Sequence, residues 1–201
     1  IGFIFFPSAG RDDVYITYWP AFTLSTFGEI VNYNGERIEQ SSSLLHTLVL
    51  ALLHYTTKFN LVDIGKFVSV FFGLVTVFLA GKLSYSLNRN LFLTQVYAAT
   101  SVPLVYWSFG SLESSLVAAS VLYMIISVIN YANNQLIINL ISVKISFLIY
   151  ILLRPEAIFV ITFFLFISIS VLVINKKKYS HFTLLIAVAL LLFLLLMVFR
   201  I

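Results

Sequence analysis

Long apolar runs alternate with short polar turns over most of the chain. A helix needs about 20 apolar residues to cross the hydrocarbon core of a bilayer. Five runs qualify and a sixth is cut by the end of the sequence, so we predict transmembrane helices over residues 64–87, 91–107, 112–131, 136–153, 157–174 and 182–201. Because only short turns join these runs, neighbouring helices should be antiparallel.

The region before these helices has a different pattern. Residues 43–57 are apolar over much of their surface but too short to span, which favours a helix lying at the membrane interface. Residues 14–27 carry aromatic side chains suited to the headgroup level, although Pro20 should bend or interrupt a helix there. We therefore predict that residues 10–57 form an external loop with two interfacial helices.

The two ends of the sequence suggest a piece of a longer protein. Residues 1–9 resemble the end of a hydrophobic helix, and the last apolar run stops at residue 201. We expect an N-terminal transmembrane module in which residues 64–201 supply about six helices, while a C-terminal half is missing.

Composition narrows the class of protein. Hydrophobic residues make up 61% of the 201-residue chain and charged residues 10%, against about 45–50% and about 25% in soluble domains. A soluble enzyme is therefore excluded, and we predict an all-α, polytopic transmembrane helical bundle whose partner is the lipid bilayer. The chain has no cysteine, so thiol catalysis and cysteine-ligated metals are excluded. The net charge of +4 comes from scattered basic residues, which argues against a nucleic-acid partner.

The distribution of charge predicts the orientation. If residues 43–57 do not span, Lys82, Arg89 and the lysines at 176–178 share one side, which should be cytoplasmic. All eight acids then face the other side. If residues 43–57 did span, the acidic loop would move to the cytoplasm. We prefer the first arrangement and place the protein in the plasma (inner) membrane, with a site on its external or periplasmic face.

Asp12 and Asp13 directly precede the first interfacial helix. An acid in that position can simply cap the helix and complement its dipole. Two adjacent carboxylates can also divide the work between a general base and a cation ligand. Asp12 and Asp13 are therefore candidate catalytic residues and candidate ligands of a divalent cation (Mg²⁺, Mn²⁺ or Ca²⁺).

Other polar residues on the predicted external side could either bind substrate or have an ordinary structural role. For Glu36, Arg37 and Glu39 the structural role is that of a solvated loop, and for Glu113 it is that of a helix cap. Arg154 can pair with Glu113 or Glu156 and brace two helices, or it can bind a phosphate through its planar fork. The residues considered for substrate binding are Glu36, Arg37, Glu39, His46, Glu113, Arg154 and Glu156.

Five stretches in this order resemble a known family. They are DDVYIT at 12–17, GEIVNYNGERIE at 28–39, SSLLHTL at 42–48, WSFGSLESSL at 107–116 and LRPE at 153–156. They are similar to motifs of polyprenyl-phosphate-dependent glycosyltransferases of the GT-C superfamily, in the branch that includes mycobacterial-type terminal arabinofuranosyltransferases. Protein O-mannosyltransferases and aminoarabinose transferases are relatives of that branch.

The resemblance implies an integral-membrane glycosyltransferase. A sugar would move from a polyprenyl-phosphate donor to a cell-envelope glycan, lipid or protein acceptor. Asp12 or Asp13 would serve as the base, and Arg154, Arg37 or a divalent cation would assist the departing phosphate. Two other classes stay open, a transporter or flippase and a non-catalytic membrane subunit. A transporter should carry ionisable residues near the bilayer midplane, and Lys144 is the only charged residue midway along a predicted span.

Overall fold

The computed structural model of the chain describes residues 12–32, 34–36, 43–157, 159, 160 and 162. Every regular element among them is an α-helix, which confirms the all-α prediction for this part of the chain. In chain order the helices are α1 (Asp12–Phe27), α2 (Leu44–Thr57), α3 (Leu61–Ser86), α4 (Leu91–Ala99), α5 (Val102–Phe109), α6 (Ser114–Asn133) and α7 (Ile137–Leu153). Several predictions lie outside the described residues: those for 1–9, 182–201, most of 157–174 and the lysines at 176–178.

Two helices of the described part are long and apolar enough to cross a membrane. Helix α3 has 26 residues and a mean hydropathy of 2.0, and α6 has 20 residues and a mean hydropathy of 1.8. Helices α2 and α7 are apolar but shorter, so α2 agrees with the prediction of a helix too short to span. Length and composition thus indicate membrane association, while the six-span bundle stays a prediction.

Local capping explains where the helices begin and end. The side chain of Ser43 accepts a hydrogen bond from the backbone N–H of His46 at the start of α2, and Asn60 accepts one from Val62 at the start of α3. At the end of α2, Lys58 has a φ of 60° and its N–H reaches the carbonyl of His54. Such caps satisfy backbone groups that lack a partner within the helix, so these local residues determine where α2 and α3 begin and where α2 ends.

The prediction of one helix over 91–107 is wrong. The chain forms α4 and α5 instead, and Ser101 between them is extended, with a ψ of 114°. Pro103 lies at the start of α5. Because proline has no N–H and its ring clashes with the carbonyl four residues earlier, a helix continuing from Ala99 through Pro103 is disfavoured.

Pro20 does not interrupt α1, which continues from Asp12 to Phe27. Proline at this position removes a single backbone hydrogen bond. Helix α1 buries Val14, Tyr18 and Ala21 in an apolar cluster shared with α2 and the start of α3, and this burial offsets the loss. A second apolar cluster joins α6 to α7 through Met124, Val143, Phe147, Tyr150 and Ile151.

Helix α3 packs against α1, α2, α4, α5 and α6, and small residues form most of its buried face. Ser69 Oγ donates to the carbonyl of Leu112 at 2.9 Å, and Ser115 Oγ donates to the carbonyl of Ser69 at 2.8 Å. Thr76 Oγ1 also reaches the carbonyl of Ser115, at 3.2 Å. Small residues let backbones approach closely in membrane helices, so α3 holds the turn between α5 and α6 in a fixed place.

We expect Gly73→Ala to destabilise the protein by about 1–3 kcal/mol. A Cβ at Gly73 would collide with the side chain of Ser108, reaching within 2.9 Å of its Cβ. Thermal unfolding of the purified protein in detergent measures the loss. The double variant Gly73→Ala/Ser108→Gly should regain part of the stability when compared with Ser108→Gly alone. Equal unfolding temperatures for Gly73→Ala and the parent would contradict this packing.

Candidate functional site

A buried ion pair ties the start of α6 to the end of α7. Glu113 is the N-cap residue of α6, and Arg154 is the C-cap residue of α7. Their side chains meet with Arg154 Nη2 3.4 Å from Glu113 Oε1, and these side chains are 27% and 8% exposed. Of the two partners considered for Arg154, the structure shows Glu113, whereas Glu156 is exposed.

His46 lies in the first turn of α2 with its ring sealed from solvent, at 1% exposure. Neither ring nitrogen has a hydrogen-bond partner among the described residues. Burial lowers the pKa of His46 to about 4, and the electrostatic influence of the Glu113 carboxylate opposes that shift. The imidazole is therefore neutral at neutral pH, so one ring nitrogen is a donor and the other an acceptor.

Tyr18 and Ser111 form a second buried polar contact. The Tyr18 hydroxyl extends from α1 to the backbone of Gly65 on α3 and interacts with the Ser111 side chain. The two oxygens do not reach hydrogen-bonding geometry, and no other described residue satisfies either of them. Burial raises the pKa of the Tyr18 hydroxyl to about 12, so the phenol keeps its proton.

The turn between α5 and α6 links these two contacts, because it carries both Ser111 and Glu113. Ser111 has a φ of 59°, a left-handed conformation that costs energy in a residue other than glycine. Leu112, between them, packs against the apolar cluster that contains Tyr18, and its carbonyl is held by Ser69. We call Tyr18, His46, Ser111 and Glu113 the polar cluster.

The loop that follows α1 folds back onto that helix. The N–H of Val31 donates to Thr23 Oγ1 at 3.2 Å, and the N–H of Asn32 donates to the carbonyl of Glu36 at 2.9 Å. Gly35 supplies the positive φ, 85°, that this tight turn requires. The side chain of Glu36 is exposed, while Arg37 and Glu39 lie outside the described residues.

Asp12 and Asp13 stand in the first turn of α1. This is the position at which a carboxylate complements the helix dipole, and the side chain of Asp13 is exposed. Among the described residues, no group of three or more His, Cys, Asp or Glu side chains could hold a metal ion. Base catalysis and cation binding by this pair stay predictions.

An apolar groove of about 460 Å³ runs between α1 and the start of α3. Its wall is mostly aromatic and aliphatic and includes the polar residue Asn60. The groove is lined by Tyr15, Ile16, Tyr18, Trp19, Phe22, Asn60, Leu61 and Val62. Tyr18 thus contributes to the groove with its ring and to the polar cluster with its hydroxyl.

Of the residues that the sequence singled out, the structure brings Glu113 and Arg154 into contact and places His46 within electrostatic reach of Glu113. It leaves the side chains of Asp13, Glu36 and Glu156 exposed. Sequence reasoning missed Tyr18 and Ser111. From the sequence, Tyr18 is typical of an aromatic residue at the membrane interface, and Ser111 is typical of a turn of small residues. The available signal for a site at Ser111 was its position between Gly110 and the acidic Glu113, in a turn that separates two apolar runs.

Comparison of the chain with protein-family models, curated proteins and solved structures found no match. The resemblance to the GT-C superfamily therefore rests on the sequence motifs alone and stays a prediction.

The burial of His46 predicts a pH-dependent stability. Its pKa is about 4 in the folded state and 6.5 ordinarily, so the unfolded chain takes up the proton first as pH falls. Stability should decrease between about pH 6.5 and pH 4, by roughly 3 kcal/mol in all. Chemical unfolding at a series of pH values measures the slope. His46→Asn should lose this component and His54→Asn should keep it; an unchanged slope in His46→Asn would contradict the assignment.

The ion pair predicts a strong coupling between Glu113 and Arg154. Arg154→Met should cost about 3 kcal/mol, because it removes the positive charge that pairs with the buried Glu113 carboxylate. The double variant Glu113→Gln/Arg154→Met should be more stable than Arg154→Met alone, which a double-mutant cycle of unfolding free energies detects. Glu156→Gln, at an exposed position, should stay within about 0.5 kcal/mol of the parent. Additive losses from the two single variants would show that the pair contributes nothing.

Proposed function

We propose that this chain is part of an integral-membrane glycosyltransferase that moves a sugar from a polyprenyl-phosphate donor to a cell-envelope glycan, lipid or protein. One observation carries the proposal. Three of the motif stretches that resemble the GT-C superfamily contribute His46, Glu113 and Arg154; Arg154 pairs with Glu113, and the Glu113 carboxylate acts electrostatically on the buried His46 ring. Such convergence of distant polar residues is what a site requires.

The arrangement of the helices supports the same proposal. Helices α1 and α2 precede α3, which in the described part of the chain is the first helix long enough to span, as interfacial helices of an external loop would. The apolar groove beside α1, with Tyr15 and Trp19 in its wall, suits part of an isoprenoid chain. Chemistry at this boundary keeps the lipid tail in the bilayer while the sugar meets a water-facing acceptor.

The proposed reaction needs a base and a positive charge. The base accepts the proton of the acceptor hydroxyl as that oxygen attacks the anomeric carbon, and the lipid phosphate leaves with the electron pair of the broken bond. A carboxylate of Asp12 or Asp13 is our candidate base. Because Arg154 is engaged with Glu113, we assign it a positioning role and assign the phosphate to Arg37 or to a divalent cation at Asp12 and Asp13.

The proposed location follows from the charge pattern. We place the protein as a multi-pass component of the plasma (inner) membrane, with α1, α2 and Glu113 on the external side. This side would be the one from which a cell-envelope acceptor approaches.

In the full-length protein, Asp12→Asn and Asp13→Asn should preserve folding, and at least one of them should lower turnover by about 10² or more. The assay is transfer of labelled sugar from synthetic polyprenyl-phosphate pentoses and hexoses to membrane acceptors. Glu29→Gln, in the loop after α1, is the matched control and should retain activity. Near-normal turnover in both aspartate variants would assign the pair to helix capping.

A further inference from the structure

The polar cluster contains four buried polar atoms whose hydrogen bonds are unmade within the described part of the chain. They are the Tyr18 hydroxyl, both ring nitrogens of His46 and the Ser111 hydroxyl. His46 and Ser111 are each 1% exposed and Tyr18 is 4% exposed. Leaving a buried polar group unsatisfied costs about 1–3 kcal/mol, so a cluster of them calls for an explanation.

The charge of the polar cluster restricts what can satisfy these atoms. His46 is neutral at neutral pH and Tyr18 keeps its proton. The carboxylate of Glu113 is balanced by Arg154. Within the described part of the chain, Arg154 is engaged with Glu113 and the Asp63 carboxylate acts on the Tyr18 hydroxyl, so a phosphate is disfavoured here. A metal ion would be repelled by the positive charge of Arg154.

The hydrogen-bonding pattern points to hydroxyl groups. A neutral imidazole offers one donor and one acceptor, and each side-chain hydroxyl offers both. A hydroxyl on a ligand also donates one hydrogen bond and accepts others. The cluster thus matches several hydroxyls on an uncharged molecule better than it matches an ion.

We propose that the polar cluster binds an uncharged carbohydrate through its hydroxyl groups, with Tyr18, His46 and Ser111 as the contacting side chains. The choice of a carbohydrate among hydroxylated molecules rests on the proposed function. Arg154 acts indirectly, by holding Glu113 in place. The phosphate of the donor lies outside this cluster.

Binding at this place requires the cluster to open. All four atoms are closed off from solvent, and the Tyr18 hydroxyl rests against Gly65 and beside Ser111. Helix α1 must therefore separate from the turn between α5 and α6 to admit a ligand. The left-handed backbone of Ser111 stores strain in this turn.

The test uses the purified full-length protein in detergent. Its thermal unfolding is followed against increasing concentrations of methyl pentosides and methyl hexosides, with inorganic phosphate as the charged comparison. At least one glycoside should raise the unfolding temperature to a plateau, and phosphate should not. Because sugars at high concentration also stabilise proteins by exclusion from their surface, only the saturable part counts.

Two variants remove a single hydroxyl each. Tyr18→Phe keeps the ring, and Ser111→Gly suits the positive φ. Without ligand, both should be at least as stable as the parent, since each deletes an unsatisfied group. Both should bind the glycoside about five- to tenfold more weakly. Tyr85→Phe, at an exposed position of α3, is the matched control and should bind normally.

The outcomes separate this inference from the proposed function. No saturable effect of any glycoside, or equal effects in the parent and both hydroxyl variants, would overturn the inference even if sugar transfer is observed. Saturable binding that is lost in both variants would support the carbohydrate site. If that binding occurs without any transfer from polyprenyl-phosphate sugars, the site stands and the glycosyltransferase proposal fails.

Discussion

Burial of one carboxylate organises the region where α6 begins and α7 ends. Glu113 is 6% exposed, and an isolated charge in such a place is very costly. Arg154 provides the opposite charge from the end of α7, so two helices are joined at the same point. A buried carboxylate needs a positively charged partner within reach, and Arg154 supplies that charge. Pro155 follows directly and favours the end of α7 at this point. Burial of the nearby His46 ring outweighs the opposing influence of the Glu113 carboxylate and keeps the ring neutral.

Helix α3 fixes the geometry on the other side of that carboxylate. Its serine and threonine side chains donate to carbonyls at and after the α5–α6 turn, and its glycines admit side chains from α1 and α5. Because the side chain of a neighbouring helix fills the space beside each glycine, each of these contacts fixes the distance between α3 and that helix. The left-handed Ser111 is tolerated because Leu112 and Ser115 on either side of Glu113 are both bonded to α3.

The coarse fold could be predicted, and the finer features depend on single residues. Apolar run lengths and the capping signals at Ser43 and Asn60 indicate α2 and α3 with small errors at their ends. The same run-length criterion merges α4 and α5, because hydropathy does not register the missing N–H of Pro103. The Glu113–Arg154 pair was one of two pairings open from the sequence. Tyr18 was beyond reach, since its role depends on α1 lying across Gly65, a tertiary contact without any local signal.

The arrangement of charge separates an acidic, solvent-facing region from a buried, neutral one. Asp13 and Glu36 face solvent beside α1 and in the loop that follows it, whereas the polar cluster is buried and carries no net charge once Glu113 and Arg154 are paired. A transfer reaction from a lipid phosphate has the same division, because an anionic phosphate and a cation belong together while a sugar ring carries only neutral hydroxyls. If a cation binds at Asp12 and Asp13, as we propose, the neutral cluster can hold hydroxyls without competing for that cation. In the proposed reaction, the Glu113–Arg154 pair would keep the proposed carbohydrate site neutral.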